Sequence, residues 1–103
     1  MKRDMKLVFD VLVFIELTDT DIGPTYFEII QEIGTKRGVW DSGDAEEELN
    51  TCIVHHLDIL VGGGLLSKYE QEPTREQSDE TFYQLTWQGH DLLDAMRKVV
   101  DIR

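Results

Sequence analysis

At 103 residues, with 10 Lys plus Arg against 21 Asp plus Glu, the chain has room for one compact domain and carries a formal charge of -11. That length excludes a two-domain enzyme with an interdomain cleft, and the charge excludes a generally basic nucleic-acid binder. A hydrophobic content of 41% with two Trp, three Tyr and four Phe excludes a disordered acidic tail.

From Asp4 to Leu17 the spacing predicts a helix, because Met5, Val8, Val11, Leu12 and Ile15 recur at three- and four-residue steps. Phe9, Val13, Phe14 and Leu17 fall on its sides and back, and Lys2, Arg3, Lys6 and Asp10 form a polar strip towards its start. A helix apolar nearly all round is either central in its domain or shared with another subunit. Asp10 and Glu16 interrupt the apolar stretch, so the basic start does not read as a signal peptide, and no window approaches the roughly 18 apolar residues of a membrane span. Cys52 is the only cysteine, which fits a reducing compartment. A soluble, cytoplasmic protein without membrane partners is expected.

Thr18 to Pro24 has turn chemistry, with Pro24 suited to the first position of a second helix. Thr25-x-x-Glu28 resembles a capping box, and Tyr26, Ile29, Ile30 and Ile33 can share a face, predicting a helix from about Pro24 to Lys36. Tyr26, Phe27, Ile29 and Ile30 would also serve in a strand. Gly38 to Gly43 reads as a connector, with Ser42 or Asp44 as candidate caps for a third helix.

That third helix, about Asp44 to Val61, places Ala45, Leu49, Cys52, Ile53, His56, Leu57 and Leu60 on one side. Glu47, Glu48, Thr51, Val54, His55 and Asp58 lie opposite. Gly62 to Gly64 end the helix, and Leu65 to Tyr69 reads as a short strand. After the polar segment Glu70 to Glu80, the alternation from Thr81 to Thr86 predicts a second strand, the two forming a wing around a loop. Thr86 is placed to cap a last helix running to about Ile102, whose inner face is Gly89, Leu92, Leu93, Met96, Val99 and Val100.

The order predicts a mostly helical α+β fold: a single winged helix-turn-helix domain over residues 1–103, with an added C-terminal helix. His56-Leu57-x-x-Leu60, Gly64-Leu65-Leu66 and Leu85-Thr86-x-x-Gly89-x-x-Leu92-Leu93 resemble the signature of winged-helix regulators. More narrowly, the opening Met1-Lys2-Arg3-Asp4-Met5 and the closing Leu85-Thr86-Trp87-Gln88-Gly89-His90-Asp91-Leu92-Leu93-Asp94-Ala95 resemble a family of small bacterial and phage proteins of unknown function. The resemblance implies a fold and no established activity.

Cys52 and His56 stand four apart on one helix, as two metal ligands could, but a structural zinc site needs four ligands. A buried thiol and a core histidine hydrogen-bonded to backbone is the simpler reading. His90, with Asp91 and Asp94 nearby, could form an imidazole–carboxylate pair, but no nucleophile accompanies it. The glycine triplet comes after a helix instead of preceding one, unlike a phosphate loop. No catalytic, metal or cofactor site is expected.

In winged-helix proteins the third helix enters the major groove and the wing touches backbone, so both need cations. Here the third helix holds five acids (Asp44, Glu46, Glu47, Glu48, Asp58) and no Lys or Arg, and the wing from Ser67 to Thr81 holds five acids against Lys68 and Arg75. Base readout by Asn50, Thr51 or His55 needs no positive charge, but phosphate contacts supply most of the affinity. The leading expectation is therefore a module working through protein contacts. Its candidate partner face is Glu47, Glu48, Thr51, Val54, His55 and Asp58, suited to a basic protein that an acidic surface could occupy as nucleic acid does. A homodimer through Phe9, Val13, Phe14, Leu17, Met96, Val99 and Val100 is also expected. The alternative is a DNA-binding transcriptional regulator of phage origin, using Lys2, Arg3, Lys6, Lys36 and Arg37 as a non-standard face. Adaptation to a salty cytoplasm is a third explanation of the acidity.

Overall fold

Asp4 opens the first helix, α1 (Met5–Leu17), where its carboxylate accepts the Leu7 N–H at 3.0 Å and satisfies one of the donors a helix start leaves unpaired. The computed structural model describes residues 4–18, 22–71 and 80–101. Its remaining elements are α2 (Tyr26–Lys36), α3 (Asp44–Gly62), β1 (Leu66–Gln71), β2 (Glu80–Leu85) and α4 (Trp87–Asp101). The fold is thus a mostly helical α+β arrangement of four helices and a two-stranded antiparallel sheet. Register runs from Leu66 opposite Leu85 to Gln71 opposite Glu80. None of the described helices is long and apolar enough to cross a membrane.

The core is assembled around α1, which packs on α2, β2 and α4 at once. Leu7, Val11 and Leu12 are fully buried there against Ile29 and Ile33 of α2, Ile53 and Leu57 of α3, and Leu93 of α4. Each such side chain contributes about 1.5–3 kcal/mol relative to an exposed one. The sequence pattern drew this stripe one step off: Met5 is largely exposed and Leu7 buried in its place. At the other helices the pattern holds apart from its margins, where Ala45 and Val99 are exposed.

Asp10 corrects the expected polar strip, because it is only 3% exposed. Its carboxylate is retained there by cations that reach it from the rim, Lys6 Nζ at 3.3 Å and Lys36 Nζ at 3.1 Å, with Arg37 at 3.9 Å. A buried carboxylate needs such partners, since an unpaired one would carry a large desolvation cost.

Thr25 and Glu28 form the expected capping box, the Thr25 hydroxyl accepting the Glu28 N–H and the Glu28 carboxylate accepting the Thr25 N–H, both at 3.1 Å. Pro24 does not occupy the first helical turn. It lies before the cap, fully buried, and its carbonyl accepts the Tyr83 N–H at 3.0 Å, while Thr25 bridges Phe82 antiparallel. One residue between α1 and α2 thus behaves as a third strand at the edge of β2. Gly23 allows this approach: a Cβ there would collide with the Tyr83 carbonyl oxygen.

Neither Ser42 nor Asp44 caps α3. Gly43 holds that position with φ +60°, no side chain caps the helix, and the Glu46 carboxylate instead accepts the Asp41 N–H at 2.6 Å. At the far end Gly62 is still helical, and of the glycine triplet only Gly64, at φ +79°, takes the left-handed conformation that turns the chain into β1.

Candidate partner-binding surface

The Thr86 block is first of all a joint. Thr86 donates its hydroxyl hydrogen to the Gly64 carbonyl at 2.5 Å and accepts the Gly89 N–H at 3.1 Å, so one oxygen caps α4 and ties it to the α3–β1 turn. A Cβ at Gly89 would collide with the Leu65 carbonyl oxygen, which explains why glycine stands there. Trp87 takes no part in this joint and is 81% exposed. Asp91, beyond the first turn of α4, and Asp94 are exposed. The carboxylate beside His90 is Glu16 of α1, 3.7 Å from Nδ1, and Arg97 donates to the same carboxylate at 2.7 Å. Glu16 and His90 edge an open polar cavity of about 300 Å³ that Thr18, Gln84 and Gly23 also line.

His56 is 2% exposed and joins the start of α1 to α3. The Asp4 N–H can only donate, so Nε2, 2.9 Å away, must be the acceptor. Nδ1 therefore carries the proton and donates it to the Cys52 carbonyl at 2.7 Å. Both nitrogens are engaged with backbone, which leaves no lone pair for a metal. Cys52 is half-buried on the same side, and no group of three or more His, Cys, Asp or Glu among the described residues could hold a metal ion. Asp4 titrates below its ordinary range, chiefly because its carboxylate accepts the Leu7 N–H, with the Arg37 charge adding to the effect against a desolvation that opposes it.

On α3, Glu47, Glu48, Thr51, His55 and Asp58 are exposed together, and Asp44 extends the row. Val54 is half-buried at its flank. Of the expected alternative face, Lys2 and Arg3 lie outside the described residues, while Lys6, Lys36 and Arg37 do converge. They converge on carboxylates: the two lysines on Asp10, and Arg37 on Asp4 at 3.6 Å as well as on Asp10. Three cations around two carboxylates leave about one net positive charge.

Of the expected dimer face, Phe9, Val13, Phe14 and Met96 are half-buried against their own core, and Leu17 and Val99 are exposed. The Val100 side chain lies outside the described residues. Phe9, Val13 and Leu17, at four-residue steps, still form an outward ridge on α1, with Lys6 over the Phe9 ring at 5.7 Å.

A family model described as "Hypothetical protein (DUF2513)" matches residues 2–99. The chain belongs to this family. Comparison with curated proteins and with solved structures found no match. The match spans the opening block from Lys2 to Met5 and the closing Thr86 block, and also residues 18–43, which lie outside the blocks that carry the resemblance.

One feature of this DUF2513 chain escapes the sequence pattern. An apolar cavity of about 250 Å³ opens between α1, α3 and α4, lined by Met5, Val8, His56, Ile59, Leu60, Leu65 and Leu92. Ile59 borders the outward face of α3 in helical projection and belongs to neither the apolar nor the acidic row. An isoleucine stranded beside charged positions was the signal available.

Proposed function

We propose that this chain is a non-enzymatic winged helix-turn-helix module that acts through protein contacts, with itself or with a basic partner protein. The element order supports the winged-helix reading, and so does the Thr25–Phe82 bridge, which supplies the short strand between the first two helices that such a layout contains. The observation that carries the protein-contact reading is the outward face of α3, where Glu47, Glu48 and Asp58 meet solvent and the helix holds no Lys or Arg. Nucleic-acid affinity is built mainly from cations that displace counterions from phosphate, and this helix would repel phosphate instead. A basic protein surface finds complementary charge there.

Self-association draws on the outward ridge Phe9, Val13 and Leu17, together with Met96 and Val99 of α4. Sedimentation equilibrium at tens of micromolar reads it directly, and a monomer there removes that part of the proposal. The second reading is a DNA-binding regulator in the bacterial or phage setting that the terminal blocks resemble. The convergence of Lys6, Lys36 and Arg37 favours it, although Asp10 and Asp4 offset most of their charge. Titrating labelled random duplex with the full chain at low salt separates the two. No binding is expected; binding that weakens steeply as salt rises would replace protein contact by DNA.

A further inference from the structure

We infer that the apolar cavity between α1, α3 and α4 receives one large aliphatic or aromatic side chain from a cationic segment of a partner protein. This rests on the protein-contact reading and gives it a place and a partner chemistry. The cavity, about 250 Å³, lies below the roughly 300–1,000 Å³ of small-molecule sites and is of the order of a single large side chain. Its lining offers such a guest no polar partner: both His56 nitrogens are committed to backbone, and the other lining side chains are Met, Val, Ile and Leu. Met5 at 47% and Ile59 at 51% exposure stand as uncovered apolar walls at its mouth. A pocket of this kind, filled by one anchor residue, is where binding energy in protein interfaces concentrates.

The charge around the cavity selects what carries the anchor. Ile59 comes directly after Asp58, and one turn back His55 leads into Thr51 and Glu48 on a helix without Lys or Arg. Leu92 comes directly after Asp91, and from Trp87 to Ala95 α4 holds two carboxylates and no Lys or Arg. On the α1 side, Lys6 is engaged with Asp10. The charged residues directly beside the lining positions Ile59 and Leu92 are thus the exposed carboxylates Asp58 and Asp91, so the segment that delivers the anchor has Lys or Arg around it. Trp87 of a second copy, the most exposed large apolar side chain among the described residues, does not fit: it would bring Asp91 and Asp94, on the same face of α4, against carboxylates of like charge.

The test uses two synthetic lysine-rich peptides, identical except for a single central Trp or Ala, titrated into the isotope-labelled full chain and monitored by amide chemical shifts. The Trp peptide is expected to bind about tenfold more tightly, with the largest shifts at Met5, Ile59, Leu65 and Leu92. Ile59→Gln, neutral and at an exposed position, removes that advantage while leaving the far-ultraviolet circular dichroism unchanged. Met5→Gln does the same from the opposite wall. Equal binding of the two peptides, or shifts confined to Glu47, Glu48 and Thr51, overturns the cavity as anchor site and leaves the protein-contact reading standing. No binding by either peptide overturns the cavity proposal, and the duplex titration then decides the broader reading independently.

Discussion

Replacing Gly89 by Ala tests whether the joint between α4 and the α3–β1 turn controls the fold. On helix propensity alone the change would stabilise the protein by about 0.8–1 kcal/mol, because glycine is the poorer helix former. The structure reverses that sign. A Cβ at Gly89 meets the Leu65 carbonyl oxygen head-on and also approaches the Leu65 carbonyl carbon and the Leu85 Cδ2, each at 3.2 Å. Backbone cannot rotate aside as a flexible side chain can, so α4 must lift. Overpacking of this kind costs about 1–3 kcal/mol. Lifting also strains the Thr86 N–H to Leu65 carbonyl bond at 3.2 Å and the Thr86 hydroxyl bond to Gly64, each worth about 1 kcal/mol. Net destabilisation of about 1–3 kcal/mol is expected, and thermal unfolding should fall by about 4–8 °C per kcal/mol in a domain of this size. Urea denaturation monitored by circular dichroism measures it. Gly62→Ala is the matched control, since a Cβ at that helical glycine meets nothing within 4 Å, and it should be neutral or stabilising. A Gly89→Ala protein as stable as the original would refute the close approach.

Three other outcomes are expected. His56→Ala should cost about 2–4 kcal/mol in urea denaturation, because it opens a cavity and leaves the Asp4 N–H without its acceptor; a loss below about 1 kcal/mol would show the α1–α3 link to be incidental. Asp4 titrates below its ordinary 3.8, so its contribution is present above that pH and is lost as pH falls through the lower folded value. Asp4→Asn should therefore flatten the acid limb of the stability curve and lower stability at neutral pH. Burial raises the Tyr83 hydroxyl above its ordinary 10.0, with the Asp58, Tyr26 and Glu70 charges adding to it, so the corresponding stability is full below pH 10 and is lost as pH rises through the folded value. An ultraviolet absorbance titration should find Tyr83 ionising last or together with Tyr26, which burial also raises, and the late component should diminish in Tyr83→Phe.

Periodicity located the helices because each buries one stripe, and that constraint is local. Thr25 with Glu28, and Thr86 ahead of Gly89, were legible for the same reason: a cap is written within four residues. The features that were not legible depend on residues far apart in the chain. Asp10 looks like a solvent-facing position until Lys36 and Arg37 arrive from α2, 26 and 27 positions further on. Pro24 has ordinary helix-start chemistry, and only the proximity of Tyr83 assigns its carbonyl to the sheet. The acidic face of α3 was visible in sequence, since Glu47, Glu48 and Asp58 fall opposite the apolar row in helical projection. The adjoining cavity was not, because it exists only where three helices meet.

The contact of Pro24 and Thr25 with β2 also decides how the hairpin can meet other chains. A strand edge with free N–H and carbonyl groups is a template for strand addition and for aggregation. On β2 that edge is already occupied at Phe82 and Tyr83, and Pro24 itself has no N–H with which to extend a ladder outward. Among the described strands the outer edge of β1 has no strand beside it, and its exposed residues include Lys68 and Glu70, whose side chains pair at 3.2 Å. Charged side chains on an edge discourage indiscriminate pairing, so a β-strand partner, if one docks, finds its longest uninterrupted edge in the six residues of β1, Leu66–Gln71.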